Sequence, residues 1–212
     1  MPDTLADNLK IAGNQEIRGR LTGSGAPGGF FPGNQSSVGW TFDPALVVAN
    51  TGALTGSDGD VILVRVKATR NALLTQVQYV IAPAGVTVAN AFVGLYDTSG
   101  NRLAVSDDVS SDFEAGGLIT TPFGGGFETE EITGGTVYYV AFLFGSAGTA
   151  PGLGCVGASL ALNAGANVGS ERVIVIAGSA TALPATVTLA SGAASTFSVW
   201  VSLSDGEPVI PS

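Results

Sequence analysis

The stretch Ala91–Phe144 reads AFVGLYDTSGNRLAVSDDVSSDFEAGGLITTPFGGGFETEEITGGTVYYVAFLF. Short apolar runs alternate in it with polar turns. The runs are Phe92–Tyr96, Leu103–Val105, Ile119–Phe123 and Val137–Phe144, and Asp97–Asn101 (DTSGN) is the first turn. Runs of this length, closed by Gly, Asp and Asn, are strands joined by hairpins. The segment predicts an antiparallel β domain and contains no motif for reaction chemistry.

The same pattern extends in both directions. Val61–Thr69 alternates, with Ile62, Val64, Val66 and Ala68 on one face and Arg65 and Lys67 on the other. One face is therefore core and the other wet or interfacial. Leu73–Ile81 predicts the next strand, with Val77, Tyr79 and Ile81 on a common face, and Val86–Gly94 leads into the DTSGN turn. Tyr138 and Tyr139 point to opposite faces of their strand, which puts one of them outside. Downstream, Arg172–Ala177, Thr186–Ala190 and Thr196–Leu203 read as strands. In the last, Phe197, Val199, Val201 and Leu203 share a face and Trp200 falls on the other. Asp112–Gly117 has room for one helical turn. The expected fold is all-β: an antiparallel, jelly-roll-like β-sandwich over residues 38–212, preceded by an extended arm and Gly/Pro linker over residues 1–37.

Several phrases carry a family resemblance. GLYDTSGNRLAVSDD, then GGLIT near a Pro, then GTVYYVAFLF resemble a β-sandwich domain of minor tail, fibre and virion decoration proteins of tailed bacteriophages, especially those infecting actinobacteria. The resemblance reaches back through GWTFDPALVVANTGAL (Gly39–Leu54) and VILVRVKATRNALLTQVQYVI (Val61–Ile81). It spans about Gly39–Phe144 and loosens in the C-terminal third. It implies a structural role in a virion and supplies no active-site residues.

Composition agrees with a scaffold. Hydrophobic residues make up 45% of the 212 residues and charged residues 12%. A disordered chain is usually poorer in apolar residues, so the low charge points to surface covered by neighbouring subunits. The formal net charge of −9 argues against nucleic acid or an anionic membrane as partner, since both demand clustered Lys and Arg. The lone cysteine, Cys155, cannot form an internal disulfide and reads as a small buried apolar residue. A nucleophilic role would need a base, and the chain has no histidine. The N-terminus lacks the basic start and apolar run of a secretory signal, which predicts synthesis in the cytoplasm without export; the resemblance implies assembly in a bacterial host and residence in the virion.

The arm has its own pattern, LKIAGNQEIRGRLTG, with Leu9, Ile11, Ile17 and Leu21 spaced by glycines. One copy cannot bury these side chains, whereas three chains wound together could. A homotrimeric shaft and a plain arm lying on a neighbour are the two readings. Phe30 and Phe31 sit in the linker GSGAPGGFFPGNQSS, and exposed apolar pairs of this kind mark contact sites. Residues 1–33 hold three basic and three acidic residues, so the arm is neutral and the rest of the chain carries the acidity.

Candidate chemistry is sparse. Asp107, Asp108, Asp112 and Glu114 form one acidic group and Glu128, Glu130 and Glu131 another. Such loops can hold Ca²⁺, but DDVSSDFE lacks an EF-hand pattern and reads as a solvated turn, so no metal or cofactor is expected. Glycoside hydrolysis needs two carboxyl groups across a sugar cleft, and an enzyme is not expected. Gly124–Gly126 lacks the GK[ST] ending of a phosphate loop. Trp200, on an outward strand face, reads as an interface anchor or as a platform for stacking on a sugar. Trp40 reads as packing where arm meets domain. The expected function is a non-enzymatic, trimeric minor tail or fibre-type virion protein anchored by its arm, with Leu9, Ile11, Ile17, Leu21, Phe30, Phe31 and Trp200 as partner contacts. The partners are other virion proteins, tail or major capsid. The alternatives are a capsid decoration protein on the head and a module that binds a host-surface glycan.

Overall fold

The computed structural model describes residues 37–42, 47, 53–124, 126, 130–145, 147–156, 163 and 166–206. Two antiparallel sheets pack face to face, as the alternation predicts. The first sheet contains β1 (Ser37–Trp40), β15 (Val201–Ser204), β5 (Gln76–Ile81), β11 (Leu153–Val156) and β14 (Ser198–Val199) in that order. Strand β8 (Gly117–Pro122) pairs with β5, and β2 (Ala53–Leu54) with β11. The second sheet runs β13 (Ala193–Ala194), β12 (Val173–Ile176), β3 (Val61–Lys67), β10 (Val137–Leu143), β6 (Phe92–Tyr96), β7 (Arg102–Val105). A small ribbon joins β4 (Ala72–Leu74) to β9 (Glu130–Ile132). The expected helical turn is α1 (Ser110–Ala115), whose Phe113 is buried. Ser37, assigned to the linker by composition, opens β1 and pairs with Ser204.

The core between the sheets collects the alternating side chains: Ile62, Val64 and Val66 from β3, Val140 and Phe142 from β10, Val77, Tyr79 and Ile81 from β5, and Val199, Val201 and Leu203 from the C-terminal strands. Tyr79 lies 5.1 Å from the Phe142 ring and 5.9 Å from the Phe113 ring, and its hydroxyl bonds Thr121 Oγ1 at 2.8 Å. That pairing lets a phenol sit in an apolar layer, where an unpartnered hydroxyl would be costly. Burial raises the Tyr79 phenol far above its ordinary range.

A second apolar layer lies on the other face of the second sheet. Val61, Leu63, Tyr96, Tyr139, Ala141, Leu143, Ile174 and Leu183 form it, with Ala180, Val187 and Leu189 packed against it. Residues 177–191 thus cross the outside of the sheet as a strap. The sequence predicts a strand over Thr186–Ala190 and places one of Tyr138 and Tyr139 outside. Instead, Thr186 makes only an isolated bridge to Asn101, Leu189–Ser191 is a 3-10 turn, and both tyrosines are buried, one in each layer. Alternation alone gives no sign of a covering segment, because Thr186–Ala190 alternates as a strand within a sheet would and the rest of the strap is rich in small residues.

Hydrogen bonds fasten the strap at both ends. Ala180 N–H donates to Gly59 O at 3.1 Å and Gly178 N–H to Asp60 Oδ1 at 3.1 Å. At the other end Arg102 N–H donates to Ala185 O, Val187 N–H to Gly100 O, and the Tyr96 hydroxyl to Pro184 O. The Arg102 guanidinium also donates to Leu183 O. Each bond satisfies a backbone group that the strap, lacking ladder partners, would otherwise leave bare. Burial of the strap's own Leu183 against the sheet contributes about 2 kcal/mol.

Two predicted strands are divided in the structure. Leu73–Ile81 breaks at Thr75, so that β4 leaves for the ribbon and β5 stays in the sheet. Thr196–Leu203 breaks at Trp200. Strand β15 pairs with β5 at Val201–Tyr79, but β14 pairs with β11 at Val199–Cys155, and β11 reaches β5 at Leu153–Ile81. Trp200 marks the fork, and its N–H donates to Gly154 O at 3.0 Å.

The DTSGN turn fastens the strap by its shape. Asp97 Oδ1 accepts from the N–H groups of Ser99 and Asn101, both at 2.8 Å. Burial would raise the Asp97 carboxyl, but the Asn101 side chain and the turn's N–H groups outweigh it and hold the carboxyl below its usual range. Gly100 has φ of +84°, and a Cβ there would run into Val187 O. Gly100→Ala should therefore destabilise the protein by about 1–3 kcal/mol, the typical cost of a strained backbone position. Hydrogen exchange should show the loss concentrated in Leu183–Val187. Wild-type stability in the Ala variant would mean that the turn does not hold the strap.

Candidate binding site

The strap does not cover the whole outer face. It ends over Val61 and Leu63, and the next outward residues of β3, Arg65 and Lys67, are exposed. Strand register brings Tyr139 opposite Arg65 and Val137 opposite Lys67. On the other side, Arg65 N–H donates to Arg172 O at 2.8 Å, which sets Arg172 beside it just before β12 begins. Trp40, the last residue of β1, completes the rim. A recess of about 220 Å³ is lined by Trp40, Thr41, Arg65, Val66, Lys67, Val137 and Arg172.

Backbone contacts fix Trp40 from both sides. Thr69 donates from N–H and from Oγ1 to Val38 O at 2.7 and 2.9 Å. Thr41 N–H donates to Val201 O at 3.1 Å, and Thr41 Oγ1 to Val199 O at 3.0 Å. Between these clamps, a Cβ on Gly39 would lie 2.6 Å from Lys67 O. Glycine at position 39 is thus what lets β1 approach the end of β3 and bring the indole to the cations.

The cations are concentrated here. Eight basic residues occur in the chain, and those after residue 40 are Arg65, Lys67, Arg70, Arg102 and Arg172. Arg70 pairs with Asp205 at 2.7 Å, and Arg102 is turned onto the strap. Arg65, Lys67 and Arg172 make no ion pair among the described residues. Glu171 immediately precedes Arg172 in the chain. It and Arg65 act in opposite senses on Tyr139, whose phenol is raised chiefly by burial. Its Oε2 is buried with no hydrogen-bond partner, and it does not line the recess.

Trp200 requires a correction. It is 5% exposed, so it offers neither an outward platform nor a surface anchor, whereas Trp40 is 37% exposed. The outer face of the first sheet is covered at this point: Val47 lies over Gly154, where a Cβ would meet Val47 Cγ1 at 3.0 Å and Val80 at 2.7 Å. The Trp200 indole N–H has no hydrogen-bond partner. Leu9, Ile11, Ile17, Leu21, Phe30 and Phe31 lie outside the described residues, as does Glu128.

The acidic group spreads out rather than converging. Asp108 Oδ1 accepts from Ser110, Glu114 Oε1 accepts from Val88 N–H at 2.8 Å, Asp112 faces Thr121, and Asp107 lies against Gly124. No three potential metal ligands come together among the described residues. Glu130 and Glu131 are neighbours on β9, and burial, then the adjacent charge, raises Glu130. Cys155 is fully buried opposite Val199, and burial pushes its thiol up against a smaller opposing effect from the Leu54 backbone. Among the described residues no helix is long and apolar enough to cross a membrane.

A scan of protein-family models gives no match to this chain, and a search of curated proteins gives none of significance.

The two tryptophans should separate in solution. Acrylamide should quench the Trp40 emission and leave Trp200 protected, so Trp40→Phe should abolish most of the quenchable signal. Trp200→Ala should instead cost about 3–5 kcal/mol of stability, as for other large-to-small changes in a packed interior. Equal quenching of both residues would contradict the burial of Trp200.

Proposed function

We propose that the protein is a non-enzymatic structural component of a bacteriophage virion, a trimeric minor tail or fibre-type protein held by its N-terminal arm. The observation that supports this best is how the body uses its polar side chains. Asp60, Asp97, Asp108, Glu114, Ser106, Tyr96, Tyr138, Tyr139 and Asn163 each bond backbone groups of loops or neighbouring strands. These bonds fix a shape. The resemblance over Gly39–Phe144 points the same way.

The arm is the attachment device in this reading. Its apolar residues need partners, and burying the rings of Phe30 and Phe31 would contribute several kcal/mol at roughly 25 cal/mol per Å², less the cost of ordering the segment. A chain beginning at Ser37 should fold, with an all-β circular-dichroism spectrum, yet fail to join particles. The isolated full chain should be trimeric by sedimentation at micromolar concentration, and a monomer there would count against the trimer. Copy number then separates tail from head, since a decoration protein is present in far more copies than a fibre. If the shortened chain assembled at normal copy number, the arm would not be the anchor.

A further inference from the structure

We propose that the recess between Trp40, Arg65, Lys67 and Arg172 binds an acidic saccharide: one sugar ring laid on the indole, with its carboxylate or phosphate held by the cations. The site does not depend on where the protein is assembled.

Three observations converge on it. The first is charge placement. In a chain of net charge −9, three of the five cations beyond residue 40 line one recess, and the other two are engaged elsewhere. Arg65 and Lys67 are two residues apart on the same face, about 7 Å along the strand. Arg172 stands on the adjacent strand line, held by the 2.8 Å bond from Arg65 N–H. Cations so spaced repel one another, and an oxyanion among them relieves that repulsion. Guanidinium groups also match carboxylate and phosphate by paired hydrogen bonds.

The second is the aromatic wall. Trp40 is 37% exposed at the rim, on backbone clamped on both sides. An indole presents an apolar body to a ring's C–H face, and a rigid one loses little freedom on binding. A ligand that is only an anion would not cover that exposed apolar surface.

The third is size and backbone. A recess of about 220 Å³ is below the roughly 300–1,000 Å³ of pockets for drug-sized ligands, and suits a single ring. Strand β3, which forms the floor, is hydrogen-bonded to β10 on one edge and β12 on the other. It therefore offers no free edge to add an extended peptide as a strand, one of the ways a sheet takes a peptide.

The test uses the full-length protein with four probes: a β-1,4-linked glucuronate tetramer, a phosphodiester-linked N-acetylglucosamine tetramer, neutral cellotetraose and octaglutamate. Binding is read by titration calorimetry and by Trp40 emission. At least one acidic oligosaccharide should bind with a change in that emission, and which one identifies the oxyanion. Cellotetraose should bind at least about tenfold more weakly. Arg65→Ala and Arg172→Ala should each weaken binding by about 10- to 100-fold, as expected for lost charge-assisted bonds. Leu118→Ala, on the other sheet, should leave it unchanged. Should Trp40→Ala misfold, the two arginine variants, checked by thermal unfolding, still decide the matter. Three results would overturn the proposal: no acidic oligosaccharide binding at about 1 mM, cellotetraose binding equally well, or octaglutamate binding as tightly without a change in Trp40 emission. The last would make the patch a docking point for acidic protein segments.

Discussion

Strand β3 is buried on both faces for the first half of its length and on one face for the second. Its sequence, VILVRVK, records the change. Ile62, Val64 and Val66 face the core between the sheets throughout, while the outward positions run Val61, Leu63, Arg65, Lys67. Where those positions are apolar, the strap crosses. Where they become cationic, the strap has ended and the recess opens. Each half constrains its neighbours. Tyr139 and Ile174 can lie outside the sheet only because the strap covers them, and the cations can remain charged only because it does not reach them.

Much of the sandwich was legible because its signal is local. Alternation of period two placed the main strands, and the DTSGN turn marked the β6–β7 hairpin. What failed did so for long-range reasons. Nothing in Thr186–Ala190 says that it will lie across a sheet instead of within one. Residues Thr196–Leu203 alternate without a break, yet the strand forks at Trp200 because β11 inserts between β14 and β5. Trp200 was assigned correctly to the face opposite Val199 and Val201. Whether that face is open or covered depends on segments far away in the chain.

The recess was less legible still. The sequence places Arg65 and Lys67 on the wet side of their strand, and in it Trp40 reads only as a packing residue. Arg172 lies more than a hundred residues away and joins them through a strand pairing that periodicity cannot specify. Net charge gives no hint of it, since an overall excess of acid conceals a local concentration of base. The useful signal was scarcity: when a body has so few cations, those not engaged in ion pairs or strap contacts are worth locating together. Gly39 is the other trace, a glycine inside a strand, which marks close approach of another backbone.

The most direct test of this organisation compares two charge substitutions on the same face of the same strand. Leu63→Asp places an unpaired carboxylate beneath the strap, whereas Arg65→Asp, two residues on, reverses a charge in the open. Thermal unfolding should show the first variant destabilised by at least about 3 kcal/mol, or unfolded, as for a buried unpaired charge. The second should stay within about 1 kcal/mol of wild type, as surface substitutions do. Equal tolerance of both would mean that the strap does not close over β3, and the two-layer account would be wrong.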